Sequence, residues 1–355
     1  MARNESEPIA PHRTAFLRFR RRADINWLPA SAGPVEDDPE LTWFARRTTL
    51  KFGIDCRSDP RLLMAQNKLR KQLGSKLVRD FVGRTAFVTG GANGIGFALS
   101  QAFAEAGLNV VLADIEQGAL TAAVERLRDF GSKVQGIICD VADPVSVENA
   151  AAKAFERFGQ VHVLCNNAGV AGGSGIEDIS VETWRWVVDV NLMGVVYGVR
   201  SFLPRMIAHG ECCHIVNTAS MAGLENDLGF SPYAATKFAV VSMSEGLAKQ
   251  LRPLRIGVTV LCPGFVQTQI SESARNRPIR YGPSPALDPK SAGGILAAES
   301  ARLQRLGLDP SAVAKRTLQA IQNDELYVFT HPEMNERVKK RFAVIEAAMD
   351  QATTR

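Results

Sequence analysis

Residues Thr89–Gly96 read Thr-Gly-Gly-Ala-Asn-Gly-Ile-Gly. The apolar run 85–89 precedes this stretch, and residues 94–106, apolar at helical spacing, follow it. The order is therefore strand, glycine-rich turn, helix. Gly90, Gly91, Gly94 and Gly96 permit a tight turn and a close approach of backbone to a ligand. The helix that opens at Gly94 would point its free N–H groups and the positive end of its dipole at an anion. A pyrophosphate fits that description. A glycine pattern alone is weak, and its place between a strand and a helix gives it weight.

Working outward, short apolar runs alternate with longer amphipathic segments. Strands are predicted over 85–89, 109–113, 134–139, 161–166, 213–218 and 256–262. Helices are predicted over 94–106, 117–130, 145–158, 181–209 and 233–251. A helix over 310–323, a short strand over 326–330 and a terminal helix over 331–352 follow. Strands that are apolar on both faces and alternate with helices mean a parallel sheet covered on both sides. The fold class is thus α/β, a doubly wound parallel sheet of about seven strands, the Rossmann arrangement.

Asp114 closes the second strand, 24 residues beyond Gly90. A carboxylate there can accept hydrogen bonds from both adenosine ribose hydroxyls and would repel a 2′-phosphate. Neither Asn93 nor Ile115 supplies a compensating cation. NAD is expected rather than NADP. Asp114 alone would also serve as a cap for the helix that follows.

Tyr233 and Lys237 stand four apart on a predicted helix and share one face. An ammonium beside a phenol stabilises the phenolate, so the tyrosine pKa is expected to fall from about 10 toward the working range of a proton carrier. Ser220 ends the fifth strand, at the carboxyl edge where ligands of such sheets bind. Its hydroxyl can hold the reacting oxygen of a substrate. The spacing Tyr-x-x-x-Lys means nothing in isolation.

Together these residues carry a resemblance. The chain from about residue 82 onward resembles the short-chain dehydrogenase/reductase family in its single-domain form. The matching elements are the turn at Thr89, Asp114, Asp140-Val141, Asn166-Asn167-Ala168-Gly169, Asn191, Ser220, Tyr233-Ala-Ala-Thr-Lys237 and Pro263-Gly264-Phe265-Val266. The resemblance implies that Tyr233 is the general acid/base, and that Lys237 tunes it and binds the nicotinamide ribose. It implies that Ser220 orients the substrate oxygen and that Asn191 holds a relay water. It assigns Gly90, Asn93, Gly94, Ile95 and Gly96 to the pyrophosphate turn, and Asp140 and Val141 to the adenine. Asn167, Ala168 and Gly169 would line the trough, with Pro263, Gly264, Val266 and Thr268 at the nicotinamide end. The implied activity is hydride transfer between NAD and a secondary alcohol or ketone. An NADPH-dependent carbonyl reductase and a non-catalytic dinucleotide-binding protein are the alternatives. A homodimer or homotetramer through 181–209 and 233–251 is implied as well.

The 355 residues carry a net charge of +5, unevenly placed. Residues 1–82 hold 16 Lys/Arg against 10 Asp/Glu, and the remainder is close to neutral. This basic, proline-broken arm is expected to be a poorly ordered extension, with Met64 as an alternative start. A tether to an anionic membrane and a transit peptide are its other readings, the second weakened by Glu5 and Glu7. Nucleic acid is not expected as a partner. The six cysteines include no C-x-x-C pair, and no metal-ligand spacing occurs, so a reduced, cytoplasmic protein without a metal is expected. No run of eighteen apolar residues suggests a membrane span. Domain organisation is read as an extension over 1–82 and a dehydrogenase domain over 83–355. Within that domain, residues 265–307 would form a substrate lid. Arg275, Arg277 and Arg280 would be solvated on it or face an acidic substrate, and Ile270, Ile279, Tyr281 and Leu287 would be candidates for an apolar pocket wall.

Overall fold

The computed structural model describes residues 80–131, 133–173, 179–227, 230–284 and 288–353. The arm readings, Met64 included, fall on residues 1–79 and lie outside the described residues, as does Leu287.

Seven strands form one parallel sheet in the order β3-β2-β1-β4-β5-β6-β7. They are β1 (Thr85–Thr89), β2 (Asn109–Asp114), β3 (Val134–Ile138), β4 (Val163–Asn166), β5 (Cys213–Thr218), β6 (Ile256–Cys262) and β7 (Tyr327–Phe329). Each strand end differs from its sequence expectation by two residues or fewer. The order reverses between β1 and β4, where Val88 stands opposite Cys165. At that reversal a crevice opens beyond the carboxyl ends of the strands.

The helices are α1 (Gly94–Glu105), α2 (Gln117–Leu127), α3 (Pro144–Phe158), α4 (Val181–Val188), α5 (Gly194–His209), α6 (Pro232–Leu251), α7 (Ala292–Arg305), α8 (Pro310–Asn323) and α9 (Asn335–Thr353). Their starts are chemically marked. Asp143 accepts from the Val145 N–H and Pro144 follows it, while Ser180 accepts from the Thr183 N–H.

Alternation along β1 splits the core. Ala86 and Val88 face a layer holding Leu99 and Phe103 of α1 and Val313 and Ile321 of α8. Phe87 faces the opposite layer, with Ala151 and Ala154 of α3 and Phe202 and Met206 of α5. Phe87 and Phe202 meet at 4.4 Å between ring centroids. Phe87, Leu99, Phe103 and Phe202 are fully buried, and each contributes roughly 2–3 kcal/mol.

The stretch 181–209 is helical throughout, as predicted, with a wider π turn, Asp189–Met193, between α4 and α5. The whole stretch Val181–His209 is long and apolar enough to cross a membrane, yet just over half of it is buried inside this domain. The segment 265–307, expected as a substrate lid, carries structure of its own. It contains two 3-10 turns, Ile270–Asn276 and Ile279–Tyr281, and the helix α7, capped by Ser291.

Candidate active site

At the crevice, Gly90 has φ +61, and a Cβ there would stand 2.9 Å from the Ala168 Cα. A Cβ on Gly96 would meet the Gly90 carbonyl oxygen at 1.9 Å. Only glycine lets the turn and α1 pack this closely. The first turn of α1 has no acidic residue, and Asn93 caps it with no side-chain hydrogen bond. Its amides and dipole are therefore left for an anion. A pyrophosphate fits this bare cradle.

Asp114 does more than expected. Its Oδ2 accepts from the Ala92 N–H at 3.0 Å and its Oδ1 from the Glu116 N–H at 3.0 Å. The carboxylate braces the glycine turn, and each oxygen keeps a lone pair for ribose hydroxyls. Burial raises its pKa, against the lowering effect of those two backbone bonds.

Thr89 and Asn167 lock the strand ends together. Thr89 Oγ1 accepts from the Asn167 and Ala168 N–H groups at 2.9 and 3.0 Å. Asn167 Nδ2 donates to the Thr89 carbonyl, and its Oδ1 accepts from Thr218 Oγ1. Behind them the buried Asn166 donates to Asn217, which donates to Ser244 on α6.

Tyr233 lies half-buried on the first turn of α6, one helical turn before the buried Lys237. Ser220, 9% exposed, donates to the Pro263 carbonyl and accepts from the Ala222 N–H. The expected depression of the phenol pKa is not found. Burial raises it, opposed by the hydrogen bond to Ser220. The reason is geometric: Lys237 Nζ donates to the Thr218 carbonyl at 2.8 Å and stands 5.5 Å from the Tyr233 ring centroid. Burial pushes the Lys237 ammonium itself down to about 8.

Asn191 sits inside the π turn, with its side chain already committed. Its Oδ1 accepts from the Val170 N–H and its Nδ2 donates to the Val170 carbonyl, at 2.8 and 2.9 Å. The side chain clamps the strand-end segment at Val170. The extra residue in the π turn allows that aim.

Of the site residues named from the sequence, all but Gly96, Ser220 and Asn191 line one cleft. The lid residue Arg275 lines it too, as do Glu116, Trp186, Ser273 and Asn276, which sequence reasoning missed. The acid two residues past Asp114 was a usable signal for Glu116. Nothing local announced the others.

Arg275 and Arg280 are exposed, as expected of lid residues, and each is also held by an acid, while Arg277 is half-buried. Arg275 pairs with Glu116, Arg280 with Asp140, and Arg277 bonds Thr183 and the Tyr281 and Gly282 carbonyls. Of the expected apolar wall, Ile270 lines the cleft, Ile279 is 96% exposed, and Tyr281 is buried with its hydroxyl on Asp189. His331 is buried beside the cleft, accepting from the Gly264 N–H and bonding the Phe265 carbonyl.

Comparison with known proteins agrees with this geometry. Residues 84–278 match the family model described as short chain dehydrogenase. A C alpha-dehydrogenase of a Sphingobium strain is 34% identical over 269 residues, covering 76% of this chain and 87% of the relative. A 1-deoxy-11-beta-hydroxypentalenate dehydrogenase of Streptomyces arenae is 35% identical, covering 73% of this chain and 86% of the relative. The solved short-chain dehydrogenase/reductase of Burkholderia phymatum in complex with NAD is 39% identical, with a TM-score of 0.73, covering 76% of this chain and 96% of that one. On the cradle, the strand order and these matches, the chain belongs to the short-chain dehydrogenase/reductase family of oxidoreductases, which act on alcohols and ketones.

Proposed function

We propose that the protein interconverts a secondary alcohol and its ketone with NAD, using Tyr233 as the general acid/base. One observation carries the reading: Tyr233 and Lys237 line the same cleft as the uncapped glycine turn and Asp114, and Ser220 is hydrogen-bonded to the carbonyl of Pro263 in its lining. When bound, the dinucleotide supplies the hydride-accepting carbon. The chain does the rest. Tyr233 Oη takes the hydroxyl proton of the alcohol. The Lys237 cation, held on the Thr218 carbonyl 5.5 Å from the Tyr233 ring centroid, would bind the nicotinamide ribose. Ser220, hydrogen-bonded to the phenol, orients the substrate oxygen. Asn191 fixes Val170, part of the cleft wall.

Asp114 and Glu116 put two carboxylates at the adenosine end, which favours NAD over NADP. The lid cation nearest them, Arg275, is already engaged by Glu116. Val170, Trp186, Val190 and Ile270 give the cleft an apolar wall suited to an apolar alcohol. A homo-oligomer is supported by the small side chains Ala235, Ala239, Ser242 and Gly246, none of them buried, along one line of α6. A cytoplasmic site fits the absence of a disulfide among the described cysteines Cys139, Cys165, Cys212, Cys213 and Cys262.

The test is a panel of secondary alcohols with NAD and with NADP, followed as nicotinamide reduction. Turnover with NAD that vanishes in Tyr233→Phe supports the reading. A clear NADP preference, or turnover that survives Tyr233→Phe, contradicts it.

A further inference from the structure

Two arginines of the segment 270–281 reach back to the ends of two adjacent strands. Arg275 bonds both carboxylate oxygens of Glu116, and Asn276 donates to the same carboxylate at 2.7 Å. Arg280 donates to Asp140 Oδ2 at 2.7 Å. Glu116 lies two residues beyond Asp114, and Asp140 two beyond the end of β3. The two acids flank the position read as the adenosine site. The segment is also anchored at its flanks, where the Ala171 N–H donates to Ser273 Oγ and the Tyr281 hydroxyl donates to Asp189.

The closed arrangement is tight. The cleft holds about 220 Å³, with Ile270, Ser273, Arg275, Asn276 and Pro278 forming part of its wall. Sites for drug-sized ligands usually offer about 300–1,000 Å³, and a dinucleotide is a large ligand. A dinucleotide seated in the cleft would lie against this segment. All four paired side chains are partly exposed, between 23% and 47%. Such pairs are individually weak, which suits a catch that must open often.

We propose that Arg275 and Arg280 latch this segment across the adenosine end of the cleft and thereby retain the bound dinucleotide. The latch rests on the dinucleotide-binding reading given above. It makes the far end of the lid part of the cofactor site, 159 and 140 residues in sequence from the acids it grips.

The experiment is stopped-flow release of NADH from the full-length protein, read by nicotinamide fluorescence with excess NAD as competitor. Arg275→Gln and Arg280→Gln should each speed release about three- to fivefold, and the double variant about tenfold, as expected for two partly exposed ion pairs. Lys339→Gln breaks an exposed pair on α9 and should leave the rate unchanged. The wild-type rate should rise about twofold or more between 0.05 and 0.5 M salt, a test that needs no substitution. Release unchanged within twofold in the double variant, together with no salt dependence, overturns the latch alone. Failure of the wild type to bind NADH overturns the dinucleotide reading along with it.

Discussion

Replacing Lys237 by methionine should abolish activity and yet stabilise the protein near neutral pH. The ammonium is 2% exposed, and burial pushes its pKa from 10.5 to about 8. An unfolded lysine keeps a value of about 10.4, so the unfolded chain binds more protons between about pH 8 and 10.5. Wild-type stability therefore rises with pH across that window, and the penalty is fully present below it. Each pKa unit is worth about 1.4 kcal/mol, so the buried charge costs the folded state roughly 3 kcal/mol at pH 7. By pH 9.5 the cost has fallen to about 1.4 kcal/mol. Methionine keeps the length and drops the charge. It also removes the donor to the Thr218 carbonyl, a loss of about 1–2 kcal/mol. The net expectation is a gain of about 1–2 kcal/mol at pH 7 that shrinks by about 2 kcal/mol at pH 9.5. Urea unfolding of both proteins at the two pH values measures it. A stability difference that does not change with pH would refute a cation held in a buried site, and so would a variant less stable than wild type at pH 7.

Gly96→Ala should lose dinucleotide affinity and at least about 1–3 kcal/mol of stability, because its Cβ would strike the Gly90 carbonyl. Calorimetric titration with NADH and a melting curve check both. Asp114→Ala should weaken NAD binding about tenfold and narrow the gap to NADP, since a hydrogen bond to a charged group is worth about 1.5–3 kcal/mol. Dissociation constants for both dinucleotides report it. His162 accepts from the Thr85 N–H through Nδ1 and faces Glu211 through Nε2, and burial holds its pKa below 6.5 against the pull of Glu211. The folded state thus binds the proton less well, so stability should fall as the pH drops below about 6.5. His162→Gln should flatten that fall, as urea midpoints from pH 7 to 5 would show.

Much of the fold could be read from local sequence. The strand residues are apolar on both faces, and Asp143, Ser180 and the glycine turn punctuate the chain where the helices begin. The site residues that could be read were those whose chemistry follows from spacing alone, such as Tyr233 and Lys237 on one helix face. The features that could not be read are non-local. The π turn at Asn191 exists because Val170, 21 residues away, needs both amide groups of that side chain. The raised phenol pKa reflects burial together with the direction Lys237 takes toward Thr218, which spacing does not encode. The Arg275–Glu116 pair joins residues 159 apart, and charge composition does not say which acid an exposed lid arginine grips.

The central claim is that the phenol of Tyr233 stands at the reactive end of a dinucleotide whose ribose rests on Asp114. A crystal structure of the protein grown with NAD tests it most directly. The account predicts Tyr233 Oη within about 4 Å of the nicotinamide C4. It also predicts adenosine ribose hydroxyls on the Asp114 carboxylate. A dinucleotide bound in the reverse sense, or a phenol turned away from the ring, would contradict it.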